Sequence, residues 1–196
     1  KKIPIIAIGR YYDQIDSVST DVTQGVYLGV RYLLDQGYRK ICYINCPQIY
    51  RSNAERVAGV QKAMREFHLE MKPDWLVYCK HNTGEGGYEA IKRLWQSGAR
   101  PQAIAAANEP IALGIMRFLY EQDIRIPEDI AIVSYEDSVL GGYAVPALTS
   151  VNIQKEYMGE LAARIMLKRI RKGQEGELEH IIVEPNLVVR SSVGKC

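Results

Sequence analysis

The order of apolar runs along the chain predicts an α/β protein built on mainly parallel, doubly wound sheets. Two observations carry this. Strand-like runs alternate with amphipathic helix-like runs over almost the whole length, which is the pattern of repeated βαβ units. Residues 103–107 and 130–134 are apolar throughout and do not alternate, as expected of strands with helices on both faces.

The elements follow in order. Ile3–Ile8 reads as a first buried strand and Ser17–Thr20 as a short second one. Residues 22–36 place Val22, Val26, Leu28, Val30, Leu33 and Leu34 largely at helical spacing, and Gly37 ends the run. Lys40–Asn45 is the next strand, followed by a helix over 53–68 with Val57, Val60, Met64 and Phe67 on one side. The alternation continues with strand 75–79, helix 85–96, strand 103–107, helix 109–121 and strand 130–134. An extended segment at 149–153 precedes a long helix over 156–170 and two short extended runs at 180–184 and 187–190. Gly173–Glu177 reads as a surface turn.

Hydrophobic residues at 47% and charged residues at 24% fit a globular domain and exclude a disordered chain. A net charge of +2 is too small to imply nucleic-acid binding by itself. No apolar run reaches the roughly 18 residues needed to span a bilayer. The basic-then-apolar start at Lys1-Lys2-Ile3 is too short for a signal peptide and lacks a small-residue cleavage site, so a cytoplasmic protein is expected. Cys42, Cys46, Cys79 and Cys196 lack zinc-ligand spacing and are read as buried reduced thiols.

In open parallel sheets ligands bind beyond the carboxyl ends of the strands. Asp21, Asn108-Glu109, Tyr135-Glu136-Asp137 and the group Ser52, Asn53 and Arg56 all follow predicted strands. Such groups suit a polyhydroxylated or anionic small ligand. Each residue taken singly reads first as a helix N-cap, and only the clustering points to a pocket. Tyr11, Tyr12, Tyr50, Tyr135 and Tyr143 lie in or near the same loops, as sugar-stacking rings or as ordinary packing. Enzyme signatures are missing: there is no glycine-rich dinucleotide or phosphate loop and no nucleophile elbow. His68, His81 and His180 lie far apart and read as surface residues. The neighbouring Glu136 and Asp137 make a poor acid/base pair. No enzyme activity, metal or cofactor is expected.

The chain resembles the LacI/GalR family over nearly its whole length. Asp21-Val22-Thr23-Gln24-Gly25 with Gly37-Tyr38-Arg39-Lys40-Ile41 is similar to the family's Asp-Asn-x-x-Gly, helix, Gly-His-Arg-x-Ile. Arg56-Val57-Ala58-Gly59-Val60 resembles Arg-x-x-Gly-Tyr/Phe. Pro101 through Asn108-Glu109 and Ala112-Leu113-Gly114 resemble Pro-Thr-Ala-Ile, Asn-Asp and Ala-x-Gly. Ile126-Pro127-Glu128-Asp129-Ile130, Val133-Ser134-Tyr135-Glu136-Asp137, Pro146 through Val151, Met158-Gly159 and Leu187 through Ser192 resemble further family segments in the right order.

The resemblance implies a type I periplasmic-binding-protein-like fold, with one lobe complete and the other partial. Residues 22–151 with 184–196 would form the C-terminal lobe, and 1–21 with 152–183 part of the N-terminal lobe, an effector being held between the two. Further βα units and a helix-turn-helix DNA-binding domain would precede Lys1 in a full member. Arg56 and Asn108 match effector-binding positions, where a guanidinium fork and an amide can each grip two hydroxyls. Asp21 matches a crossing position near the pocket, and Ser52 belongs to the same set. Glu136 stands where the family has a ligand-binding Asp, one methylene longer. Asn82 stands where a sugar-stacking aromatic is common, Gly9 where many members have Asp, and Ile153 replaces a frequent Gln. The implied function is sensing a small-molecule effector, a sugar or sugar derivative, that allosterically controls operator DNA binding by a homodimer. The apolar Ile111, Ile115 and Phe118 of helix 109–121 suit a dimer interface or, equally well, burial in the core. A sugar-transport solute-binding protein of the same fold is the alternative.

Overall fold

The computed structural model describes residues 3–47, 49, 52–172 and 176–196. Tyr50 and residues 173–175 of the expected turn lie outside the described residues. The chain divides into two compact units, residues 1–21 with 153–185 (unit 1) and residues 22–152 with 186–196 (unit 2).

Unit 2 is a six-stranded sheet clothed by helices. Its elements are α1 (Val22–Asp35), β3 (Ile41–Asn45), α2 (Asn53–Glu66), β4 (Leu76–Tyr78), α3 (Gly84–Gln96), β5 (Ala103–Ala106), α4 (Glu109–Glu121), β6 (Ala131–Glu136), the short α5 (Val139–Tyr143), β7 (Thr149–Asn152) and β9 (Asn186–Val188). The strand order is β4-β3-β5-β6-β7-β9, all parallel except β9, which runs antiparallel to β7. Every residue of β3 and β5 is buried, which explains sequences that are apolar except for Asn45 at the end of β3.

Helix α1 packs on α2, and α3 on α4. Glycines permit both contacts. A Cβ on Gly59 of α2 would lie 2.5 Å from the Thr23 carbonyl of α1, and one on Gly114 of α4 would overlap the Gly84 carbonyl of α3. Edge-on rings of Tyr88 and Trp95 against Phe118 fill the rest of the second pair.

Unit 1 contains β1 (Ile6–Ile8), β2 (Asp16–Thr20), α6 (Lys155–Lys172) and β8 (His180–Val183), with the parallel strand order β1-β2-β8. Val18, Met158, Leu161, Ala162, Ile165 and Val183 form its core. The first strand is shorter and more exposed than the sequence predicts: Ile3, Ile5 and Ile8 are 83%, 64% and 58% exposed. Its apolar residues pack on one side only, because α6 is the single helix of this unit among the described residues. Asp16 in β2 is bound by both arms of the Arg169 guanidinium, at 2.8 and 2.6 Å, and both side chains are 5% exposed. The same carboxylate accepts from the Glu179 N–H at 2.8 Å.

Candidate functional site

The carboxyl ends of β3, β5 and β6 bring several sequence-predicted residues together within unit 2. Arg56 lies one turn into α2 and is 8% exposed. It belongs to the buried row Asn53, Arg56, Gly59, Val60, Ala63 and Met64, whereas the apolar spacing pointed to Val57 and Phe67, which are only partly buried. The close approach of Gly59 to α1 fixes this rotation of the helix.

Ser52 precedes α2 but makes no capping hydrogen bond with its side chain. Its hydroxyl accepts from Arg56 Nη1 at 3.1 Å. The guanidinium also lies 5.7 Å from the centre of the Tyr135 ring at the end of β6. That ring has room because Gly25 of α1 carries no side chain; a Cβ there would come within 2.5 Å of it. The glycines of the Asp21–Gly25 and Arg56–Gly59 motifs therefore serve to place the arginine. Arg56 Nε is buried without a hydrogen-bond partner, an arrangement that costs free energy unless something else supplies an acceptor.

Asn108 caps α4, its Oδ1 accepting from the Ile111 N–H at 3.1 Å. The amide nitrogen points the other way. Asn108 Nδ2 donates to Asn82 Oδ1 at 2.5 Å and lies 3.8 Å from Cys46 Sγ. Asn82 sits in the loop after β4 and is exposed. Cys46, one residue past β3 and 1% exposed, lies at the meeting point: Arg56 Nη1 and Asn82 Oδ1 are each 3.4 Å from its sulfur. Burial pushes its thiol pKa up while the Arg56 charge pulls it down, and the net shift is upward, so it is a neutral thiol at physiological pH.

Sequence reasoning missed Cys46 as part of this cluster, since a buried reduced thiol needs no function. Its place just beyond a strand's carboxyl end was the available signal. Cys42 and Cys79 are likewise buried and free, whereas Cys196 is exposed, contrary to the expectation that all four thiols are buried.

At the end of β6 the backbone is strained. Glu136 and Asp137 have φ of 98° and 48°, values that L residues rarely adopt. Asp137 anchors the turn: its carboxylate accepts from Arg190 Nη1 at 2.7 Å and Asn152 Nδ2 at 3.1 Å, and its N–H donates to Ser150 Oγ at 3.1 Å. The partly buried Glu136 is thus held at the strand end, while Asp137 is committed to structure. Asp21 belongs to unit 1, at the end of β2 and exposed, immediately before α1.

Of the described strand-end tyrosines that the sequence singles out, Tyr135 is buried in this cluster, whereas Tyr11, Tyr12 and Tyr143 are 56%, 48% and 82% exposed. All three histidines are exposed, as the sequence predicts. Ile111, Ile115 and Phe118 are core residues of unit 2, not the surface that a dimer interface needs, because α4 turns them onto the sheet and α3. No group of metal-ligating side chains occurs among the described residues, and no helix among them is long and apolar enough to cross a membrane.

The family of periplasmic binding protein-like domains matches residues 30–193. The HTH-type transcriptional repressor PurR of Klebsiella pneumoniae is 34% identical over 181 residues, 92% of this chain and 52% of that protein. PurR of Mannheimia succiniciproducens is 31% identical over 195 residues, 98% of this chain and 58% of that protein. This chain thus spans about half the length of the curated relatives it matches. Among solved structures, the transcriptional regulator CelR in complex with cellobiose superimposes with a TM-score of 0.86 at 30% identity, covering 95% of this chain and 58% of that one. A LacI-family regulator from Sanguibacter keddieii gives a TM-score of 0.91 at 27% identity, covering 97% and 74%. The chain belongs to the periplasmic binding protein-like domain family and, within it, to the effector-binding domains of LacI/GalR type.

Proposed function

We propose that this domain binds a sugar or sugar derivative through Arg56, Asn108, Ser52 and Glu136 of unit 2. In the whole protein, binding would allosterically control operator DNA binding by a cytoplasmic transcription regulator. One observation carries the reading: Arg56 is a buried guanidinium, already held by Ser52 and Tyr135, whose Nε has no acceptor. A ligand oxygen supplies one. The cellobiose held by the CelR relative is the class of molecule this donor set suits.

Thermal shift of the full-length protein against mono- and disaccharides, sugar phosphates and purines tests the reading. A ligand at a hundredfold above its dissociation constant adds about 2.7 kcal/mol of stability. The expected result is a shift lost in both Arg56→Ala and Asn108→Ala. A shift that survives both substitutions would place the ligand elsewhere and end the proposal.

Homodimerisation is proposed through a different surface from the one the sequence predicts. Tyr120 and Val145, 82% and 92% exposed, line a groove of about 400 Å³ in unit 2, and Val139, Leu140 and Tyr143 of α5 are exposed as well. Sedimentation of a Tyr120→Ser, Tyr143→Ser double variant is expected to show monomer where the unaltered protein is dimeric.

A further inference from the structure

We propose that Asn82 is an internal stand-in for the effector, its side-chain oxygen occupying the place of a ligand oxygen in the unliganded site. The inference rests on the effector-site reading and goes beyond it, because it reverses the sign expected of a residue in the binding cluster.

Three features of the geometry lead to it. Asn82 Oδ1 is an acceptor placed on two buried groups, 2.5 Å from Asn108 Nδ2 and 3.4 Å from Cys46 Sγ. Asn108 is 3% exposed and Cys46 1%, and their positions are fixed from below, one as the cap of α4 and the other at the end of β3. Asn82 itself is exposed and belongs to the loop between β4 and α3, so its side chain can leave without disturbing a packed element. An exposed, replaceable acceptor on fixed, buried donors is the arrangement a bound hydroxyl, carbonyl or phosphate oxygen would make.

The nature of Cys46 fits the same role. A thiol is a weak donor and a weak acceptor, so it holds the Asn82 oxygen and the Arg56 nitrogen in place without binding either strongly. The Asn108–Asn82 contact is the strong one. A ligand oxygen must displace it before it can take both Asn108 Nδ2 and the Cys46 S–H. The apparent affinity is lowered in proportion to the fraction of molecules in which Asn82 occupies the position.

Two substitutions at position 82 are predicted to move affinity in opposite directions. Asn82→Ala removes the competing oxygen and tightens binding; Asn82→Asp keeps the acceptor, adds charge that Asn108 Nδ2 and the nearby Arg56 favour, and weakens binding. Calorimetric titration of the full-length protein with D-glucose, D-ribose, cellobiose, glucose 6-phosphate and hypoxanthine reads the order. For any probe the unaltered protein binds, the expected affinity order is Asn82→Ala above Asn82 above Asn82→Asp, with about tenfold or more between the extremes, and Asn108→Ala abolishing binding. Loss of fold cannot produce a gain in affinity, so tightening in Asn82→Ala is not a structural side effect. Equal or weaker binding by Asn82→Ala, with Asn108→Ala still abolishing it, overturns the stand-in role and leaves the effector site in place. Absence of binding of every probe to all of these proteins overturns the effector reading together with the stand-in.

Discussion

Unit 2 hides its sheet between two helix pairs, whereas unit 1 carries one helix on three strands. The consequence is visible in exposure. Ile104 and Ile132 in the larger sheet are fully buried, while Ile5, Ile8 and Ile182 in the smaller unit are 58–64% exposed. The units also differ in what joins helix to sheet. In unit 2 the helices reach the sheet and one another through apolar contact and glycine close approach. In unit 1 a small apolar core is supplemented by a buried, bidentate ion pair between α6 and β2. A parallel sheet covered on both faces can be held by apolar packing, and a buried ion pair is costly to break from one side whatever its net contribution.

The largest expected effect separates the two cores. Ile132→Ala in unit 2 opens a cavity where helices on both sides prevent collapse, and is expected to cost about 4 kcal/mol; Ile165→Ala in unit 1, where α6 can settle onto the strands, about 2 kcal/mol. Urea unfolding of the two variants checks this. Equal losses would mean that unit 1 is as rigidly packed as unit 2. Gly114→Ala tests the glycine contacts: its methyl group meets the Gly84 carbonyl, forcing α3 and α4 apart at about 1–3 kcal/mol. A neutral Gly114→Ala would show that this helix pair has slack.

The same contrast explains what was legible in the sequence. The strands β3, β5 and β6 were readable because burial on both faces favours apolar runs, broken here only by Asn45, Ser134 and Glu136. The five-residue α5 was not, since a single turn containing Gly141-Gly142 carries no periodic signal and is held by tertiary contacts, among them Ser138 with the Glu109 carboxylate. Nor was the antiparallel direction of β9, because periodicity carries no polarity. Within the site, Arg56 and Asn108 were readable as motif residues after predicted strands. The buried face of α2 was read in part: Val60 and Met64 are buried as expected and Val57 and Phe67 only partly, because the face also takes in Asn53 and Arg56, and apolar spacing cannot anticipate buried polar groups. A strand-end position marks Cys46 and the family resemblance marks Asn82, but their mutual contact depends on which atoms meet across separate segments, which no local pattern encodes.

Asp16→Asn probes the polar side of the comparison. The Arg169 guanidinium and the Glu179 N–H hold the Asp16 carboxyl below its ordinary pKa, against the opposing effect of burial. A carboxylate whose folded pKa is depressed contributes stability that is present above its unfolded value, near 4, and lost as pH falls through the lower folded value. The unaltered protein should therefore lose stability on acidification below pH 4 through this pair. Asp16→Asn should be less stable at neutral pH, because it leaves a buried guanidinium without its counter-charge, and the gap should narrow in acid. Denaturation midpoints of both proteins between pH 7 and pH 2.5 measure it. A gap independent of pH would remove the ion pair from the account of unit 1.

The smallest effect belongs to the matching pair on the surface of unit 2. Arg125 holds Asp129 by two side-chain contacts, 2.8 and 2.7 Å, and lowers its carboxyl to about 2, so here too an arginine pulls a carboxylate below its ordinary pKa. Exposure decides otherwise. The side chains are 69% and 39% exposed, against 5% for each partner of the buried pair, and water and salt screen most of what the contact gains. Asp129→Asn is expected to shift the unfolding midpoint far less than Asp16→Asn. What remains of its effect should disappear in 1 M sodium chloride, while that of Asp16→Asn persists. If both respond to salt alike, burial is not what distinguishes the two pairs, and the contrast between the units rests on apolar packing alone.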